Sequence, residues 1–456
     1  MALTLKLITL LRTVSSRCYS SPVLQHMKIA STNKFVAPVI DFAKQMEELP
    51  KLQENVRLRK MELDTDKLKS LWDLLKHMQA TKTQLEQRKT EILDRMQDFK
   101  KIGKNAEAAE ELAKLKLESK MVREDLKTLM TGFWEVEEKI MVSGLMIPNE
   151  LHTDTPWTED KVVHEFGRPP TVTDPVSHLD IGRSLGLIDY RDPSCFFLKN
   201  EAALFEVSSA FFFADALKKY DFMPFCNPDY ARSSIVNGFG ISSDQSDSVF
   251  TIKENIDKKN FNLHLVGGAS IYPFCAFHTR QTVNFSSLPL KYFTVGRQYS
   301  PSSLDSKYGL YDTWQRTTNE IFILTANDTN EMMSVFQETL AMVISLYEKL
   351  NHHFRVVYLK ASALESWESL RASFQMYSCH EGKYVEIGKL SISDSFICQR
   401  LLMTYQMSEK DRKRFMKMIS GTAVDITKLL ACLLEQRSNN ADKFAMPDCL
   451  KSHWSV

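Results

Sequence analysis

Between residues 67 and 140 the chain has no proline and almost no glycine. Apolar residues recur there in alternating steps of three and four. The first half carries Leu68, Leu71, Leu75, Met78, Leu85, Ile92, Met96 and Phe99; the second carries Leu112, Leu115, Val122, Leu126, Leu129, Phe133, Val136 and Ile140. Lys82 and Lys89 interrupt the first series and Ser119 the second. This spacing keeps side chains on one side of a helix, and so long an apolar side has to be covered by another helix. Gly103, within "KKIGKNAEA", is the natural stop between the halves. The expectation is a hairpin of two helices of about 30 residues, each about 45 Å long at 1.5 Å per residue. The outward lysines, Lys76, Lys100, Lys101, Lys104, Lys114 and Lys116, suit either plain solvation or phosphate contacts.

After "IPNELHTDTPW" the pattern changes. From about residue 175 short apolar runs alternate with helical ones: "KYFTVGR", "NEIFILT" and "FRVVYL" read as strands, "EMMSVFQETLAMVISLYEKL" and "DITKLLACLLEQ" as helices. The fold class expected is α+β, an N-terminal helical arm (30–150) followed by an antiparallel sheet flanked by helices (151–456). A chain of 456 residues is long enough for both. The first 40 residues contain no acid but carry Lys6, Arg12, Arg17, Lys28 and Lys34 among Leu and Ser. That composition is the signature of a mitochondrial transit peptide, assigned to residues 1–25. No apolar run approaches the roughly 18 residues that span a membrane. With a net charge of +1, any RNA contact has to come from a local patch. The eight cysteines are scattered without a C-x-x-C pair, which disfavours a zinc site or a disulfide framework and suggests buried free thiols.

Six segments in order carry a resemblance: "GLMIPNELH", "SHLDIGRSLGLID", "YDFMPFCNPDY", "FTVGRQYSPSSLDSKYGLYDTWQRTTNE", "SGTAVDITKLLACLLE" and "AMPDCL". Together they resemble the seryl-tRNA synthetase family of class II aminoacyl-tRNA synthetases over nearly the whole mature chain, as a degenerate mitochondrial paralogue. The resemblance implies a class II core, a coiled-coil arm that grips tRNA, and a dimer formed around motif 1, with Pro228 at the interface. It also implies adenylation of serine by ATP around magnesium, chemistry that is mostly positioning and electrostatics.

At the positions the resemblance assigns to that chemistry, the residues have changed. The tripeptide that cradles serine is Gly268, Ala269 and Ser270. Arg297 keeps the first motif 2 arginine, but Tyr299 replaces an acid, Asp312 the second arginine, and Arg316 the phenylalanine that stacks on adenine. Glu320 and Glu386 are retained. Lys389 stands for a serine beside the metal, Thr422 for a serine, Thr427 for a glycine and Lys428 for the phosphate-binding arginine. A hydrogen bond to a charged group is worth roughly 1.5–3 kcal/mol, and about 1.36 kcal/mol is tenfold in rate. Three such losses cost on the order of a thousandfold to a millionfold, and a carboxylate at 312 would repel a triphosphate. The expectation is no catalytic residue, no metal site, and ATP and magnesium binding weak or lost, with Arg297, Glu320 and Glu386 kept as a charge network. What remains is binding: RNA through the arm, and a homodimer or a heterodimer with a mitochondrial seryl-tRNA synthetase, in the matrix. The alternatives are an adenylating ligase for another amino acid or a carrier protein, and a scaffold whose arm contacts protein.

Overall fold

The glycine-poor stretch forms two long helices, α1 (Thr65–Ile102) and α2 (Ala106–Leu145), of 38 and 40 residues. At 1.5 Å per residue they are about 57 and 60 Å long, longer than the spacing suggested. The polar flanks are strong helix formers and carry the helices beyond the apolar series. Asp64 caps α1, its Oδ1 accepting the Lys67 N–H at 2.8 Å. The helices run antiparallel: Ile92 packs with Leu115 and Val122, flanked by Leu85, Met96, Phe99 and Leu126, and Arg88 pairs with Glu118. Lys82, one interrupted slot, lies 6.0 Å from the centroid of the Phe133 ring, so its stem serves the seam. Toward the open end the buried positions are Trp72 and Glu137, with the expected Leu71 and Val136 only half-buried. A straight helix drifts from a strict seven-residue repeat, and here a further aromatic joins: Phe42 stacks on Trp72 at 5.8 Å.

The computed structural model describes residues 40–102, 106–172, 174–241, 249–252, 262–436 and 443–451. The leader at 1–25 and Lys104 lie outside the described residues, as do the side chains of Lys100 and Lys101. The chain forms two compact units, one of residues 40–54 and 62–147, the other of 55–61 and everything from 148 onward.

The second unit is built on an eight-stranded sheet. Its strands are β1 (Lys161–Phe166), β2 (Met223–Pro224), β3 (Leu290–Tyr299), β4 (Gln315–Thr325), β5 (Phe354–Tyr358), β6 (Leu370–Ser378), β7 (Lys383–Asp394) and β8 (Lys417–Asp425). They lie in the order β1-β5-β6-β7-β8-β4-β3-β2, antiparallel except for the short β2–β3 pair. Helices α3 (Asn200–Lys219), α4 (Ile271–His278), α5 (Thr329–Lys349) and α6 (Ile426–Glu435) cover it. Ile321 and Ile323 of β4 point into the layer holding α3, α5 and α6, whereas Phe322 and Leu324 point into the layer holding α4. That end of β4 is buried on both faces, which is why "NEIFILT" is continuously apolar. Toward residue 316 the α4 side is open, and a cleft begins.

Two sequence segments brace this frame. Asn149 of "IPN" donates from its amide to the carbonyls of Trp367 and Ser393, at 3.0 and 2.9 Å. His178 of "SHLDIGRS" contacts Glu435 at 2.7 Å through Nδ1 and accepts the Leu310 N–H at 3.0 Å through Nε2. Gly309 is required beside it: its φ is +57°, and a Cβ there would sit 2.5 Å from His178 Nε2. The seven described cysteines are free thiols; four are buried, Cys195 and Cys449 are half-buried and Cys226 is exposed.

Candidate functional site

Strands β3 and β4 form the hairpin wall of the cleft. Their register sets Gln298 opposite Arg316 and Arg297 opposite Thr317, and β8 sets Thr422 opposite Glu320. Successive residues of a strand face opposite sides, so Gln298, Arg316, Glu320 and Thr422 share the open face. A cavity of about 220 Å³ lies against that face, lined by Ser270, Gln298, Arg316, Glu320, Trp367 and Lys389 among others. A smaller one of about 60 Å³ shares Gln298, Arg316 and Lys389 and adds Glu386, Thr422, Asp425 and Lys428.

Nearly every charge in this cleft meets a partner. Arg316 donates from Nε to Gln298 at 2.8 Å and from Nη1 to Ser300 at 3.0 Å, with Asp425 at 3.6 Å. Lys428 lies 3.9 Å from Asp425, whose other oxygen caps α6 by accepting the Lys428 N–H at 3.1 Å. Glu320 accepts the Thr422 hydroxyl at 2.8 Å. Burial pushes the Glu320 carboxyl up to about 7, against the pull of Lys389, Thr422 and Arg316. Glu386 lies 3.8 Å from Arg371, and Arg371 is held by fully buried Glu368, with Nη2 to Oε2 at 2.6 Å. Burial alone would raise the Glu368 carboxyl, but Arg371 and Lys389 hold it below the usual range. The Lys389 ammonium has no hydrogen bond to another described residue. It acts on Glu320 and Glu368 through its charge.

The floor of the cleft is main chain. Ser270 spends its hydroxyl on the Gly267 carbonyl at 2.8 Å. Gly268 is pinned from both sides: its N–H donates to Asp229 at 2.7 Å and its carbonyl accepts the Asn227 amide at 3.1 Å. Tyr299 borders the larger cavity and donates its backbone N–H to Val266 at 3.1 Å.

Two expected members are elsewhere. Arg297 is on the other face of β3, where it pairs with Glu206 of α3 at 3.0 Å, and Thr317 bonds the same carboxylate. A placement one residue along a strand reverses the face, and Gln298 occupies the cleft side instead. Asp312 lines neither cavity; it accepts the Ser306 hydroxyl at 2.7 Å within the hairpin loop, and its charge acts on Tyr190. The repulsion expected from Asp312 therefore does not arise in the cleft. Arg297, Glu320 and Glu386 do not form one network either: each has its own partner.

The arm and interface residues also divide. Lys76 and Lys116 are exposed, Lys76 lying 5.2 Å from the Trp72 ring centroid. Lys114 is already paired with Glu110 and Glu111, both at 3.1 Å. Pro228 is exposed, between the two residues that hold Gly268. Glu206, Asp425 and the Glu368–Arg371 pair were missed in the sequence, where no motif marks them. A second omission is a stripe on α3. Leu204, Val207 and Phe211 are 37%, 52% and 57% exposed, while Phe205, Phe212 and Phe213 face the core. The signal was present: a helix apolar all round has a second face to cover. Among the described residues no group of three His, Cys, Asp or Glu is arranged to hold a metal.

Comparison with known proteins adds the following. Residues 251–437 match the tRNA synthetase class II core domain (G, H, P, S and T). The serine–tRNA synthetase-like protein Slimp of Drosophila melanogaster is 27% identical over 408 residues, 87% of this chain and 84% of its own. The mitochondrial serine–tRNA ligase of Mus musculus is 24% identical over 425 residues, covering 88% and 80%. Among solved structures, seryl-tRNA synthetase from Pyrococcus horikoshii complexed with ATP superposes with a TM-score of 0.78 at 17% identity, covering 90% of this chain and 97% of that one. The cytoplasmic enzyme of Naegleria fowleri in complex with AMP gives 0.72 at 19% identity, covering 89% and 94%. At these identities the structural likeness speaks for the fold.

Proposed function

We propose that this chain, a seryl-tRNA synthetase-like protein carrying a class II tRNA synthetase core at residues 251–437, has given up amino-acid activation and acts by binding. The observation that carries the reading is the fate of the arginines. Arg316 is engaged by Gln298 through Nε and by Ser300 through Nη1, with Asp425 at 3.6 Å, and Arg297 faces away from the cleft toward Glu206. A triphosphate needs convergent, unsatisfied donors, and a magnesium ion at Glu320 would face the Lys389 ammonium. The residues present therefore do not fit magnesium–ATP. The test is serine-dependent exchange of pyrophosphate into ATP with the purified protein. No exchange above background is expected; robust serine-dependent exchange would overturn the reading.

The binding roles have their own support. A coiled-coil arm made by α1 and α2, with Lys76 and Lys116 exposed, fits phosphate contacts to tRNA or another mitochondrial RNA. The α3 stripe of Leu204, Val207 and Phe211 fits a second copy of this chain. Mass measurement in solution should give a dimer that Val207→Asp with Phe211→Asp reduces to monomer; a mixed dimer with a seryl-tRNA synthetase is the competing result. The acid-free basic leader, together with mitochondrial ligases among the relatives, supports residence in the mitochondrial matrix.

A further inference from the structure

Outside the cleft and the arm, a third place gathers cations. A small sheet joins Thr282–Asn284, Thr404–Gln406 and Arg414–Phe415. The turn on it, "MSEKDRKR" at 407–414, is exposed at every position. The side chains of Lys410, Arg412, Lys413 and Arg414 make no ion pair or hydrogen bond among the described residues. Of the two acids among them, Asp411 is taken up by the Ser408 hydroxyl at 2.9 Å. Some other exposed cations are paired, Lys114 with Glu110 and Glu111, Arg88 with Glu118 and Arg183 with Asp180, and the exposed arm lysines Lys76 and Lys116 are spread along two helices and not gathered in one turn. In a chain of net charge +1, four unpaired cations within five residues make a local field.

A second observation indicates what they meet. Gln406 pairs with Asn284 in the parallel register, so the strand ends bring Phe285 and Met407 to the edge where the turn begins. Both are large and open, Phe285 at 41% and Met407 at 51% exposure. Phe285 is steadied by Tyr405, ring centroids 5.9 Å apart. A flat apolar ring beside a row of unpaired cations is the arrangement that takes single-stranded nucleic acid, bases stacking on the ring while cations follow the phosphates. Two apolar side chains are too little to insert into a lipid surface, where binding scales with buried apolar area.

We infer that the turn at Lys410–Arg414 together with Phe285 is a binding surface for single-stranded RNA on the core, separate from the helical arm. The backbone contacts are sequence-independent, because phosphates position without specifying. The inference does not rest on contacts by the arm.

The experiment uses the full chain and a fluorescently labelled single-stranded oligoribonucleotide of mixed sequence, read by anisotropy over a salt series. Three variants are compared with the parent: Lys410→Gln/Arg412→Gln/Lys413→Gln/Arg414→Gln; Phe285→Ala; and, in the arm, Lys76→Gln/Lys114→Gln/Lys116→Gln. Each phosphate contact to a single strand contributes a slope of about −0.7 in log affinity against log salt. Neutralising the four cations should therefore flatten the slope by about 2 to 3 and weaken low-salt binding at least about tenfold. Phe285→Ala should weaken binding about tenfold with the slope unchanged, since it removes stacking and no charge. The arm variant should keep the turn's share of the slope. Unchanged affinity and slope in the quadruple variant overturn the inference; if the arm variant then abolishes binding, the arm reading stands alone. Loss of binding to anionic phospholipid vesicles in the quadruple variant, with RNA binding intact, also overturns it. Melting temperatures confirm that the variants are folded.

Discussion

The cleft along β3 and β4 and the turn at 407–414 each bring several cations together, and they differ in what those cations touch. In the cleft, Arg316 has two hydrogen bonds and a carboxylate, and Lys428 has Asp425. In the turn, the four cationic side chains make no ion pair or hydrogen bond among the described residues. A count of positive charge would rank the two alike. The pairing state separates them, because a cation already desolvated and bonded gains little from a new anion, whereas an exposed one keeps its whole interaction in reserve. The cleft's charges thus act as a structural joint, while the charges of the turn stay open to solvent.

The sharpest way to break this contrast is to attack the joint itself. Replacing Arg371 with Met leaves Glu368 buried without its partner and should cost about 3–5 kcal/mol in chemical denaturation. A loss near zero would mean the cleft charges are not structural. Next is the buried acid beside Lys389. Because the Glu320 carboxyl is raised to about 7 when folded, the folded state holds its proton between the unfolded value and about pH 7. Stability from this group therefore falls as pH rises through that window, by up to roughly 3 kcal/mol. Glu320→Gln should remove that part of the pH dependence of the melting temperature; an unchanged profile would place the proton elsewhere. A smaller effect is expected behind the hairpin. Arg297→Ala breaks a half-exposed pair with Glu206 and should cost roughly 1 kcal/mol or less, with no change in how ATP and magnesium shift the melting temperature. A selective loss of a nucleotide-induced shift would return Arg297 to the cleft. Smallest of all, neutralising Lys410, Arg412, Lys413 and Arg414 should leave the melting temperature unchanged while RNA binding weakens. A fall in stability would show that the turn supports the sheet.

Much of the frame was readable from the residues. The 3.6 and 2.0 periodicities carried α1, α2, α5, β3, β4 and α6, because burial of an apolar side is what each of those elements is for. The α1–α2 seam slipped by one residue near Trp72 because a neighbour outside the repeat, Phe42, wanted a ring to stack on. The cleft was harder. Arg297 and Gln298 are adjacent letters, and only the pairing of β3 with β4 decides which one faces the cavity. Asp312 sits in a loop whose path no periodicity constrains. The turn cations are plain in "EKDRKR", yet such a run reads as ordinary solvated surface until the partners around it are known.

Gly267 explains why such refitting leaves the container intact. Its φ is +88°, and a Cβ there would fall 2.1 Å from the Arg297 carbonyl oxygen. Floor and hairpin meet through backbone, with Ala269 N–H donating to that oxygen at 3.1 Å and Tyr299 N–H to Val266 at 3.1 Å. The chamber is framed like a building whose beams are poured and whose furniture is loose. Exchanging Ser270, Arg316 or Lys389 redecorates the room without moving a wall, so this scaffold offers an engineer a fixed mould into which a different guest can be fitted.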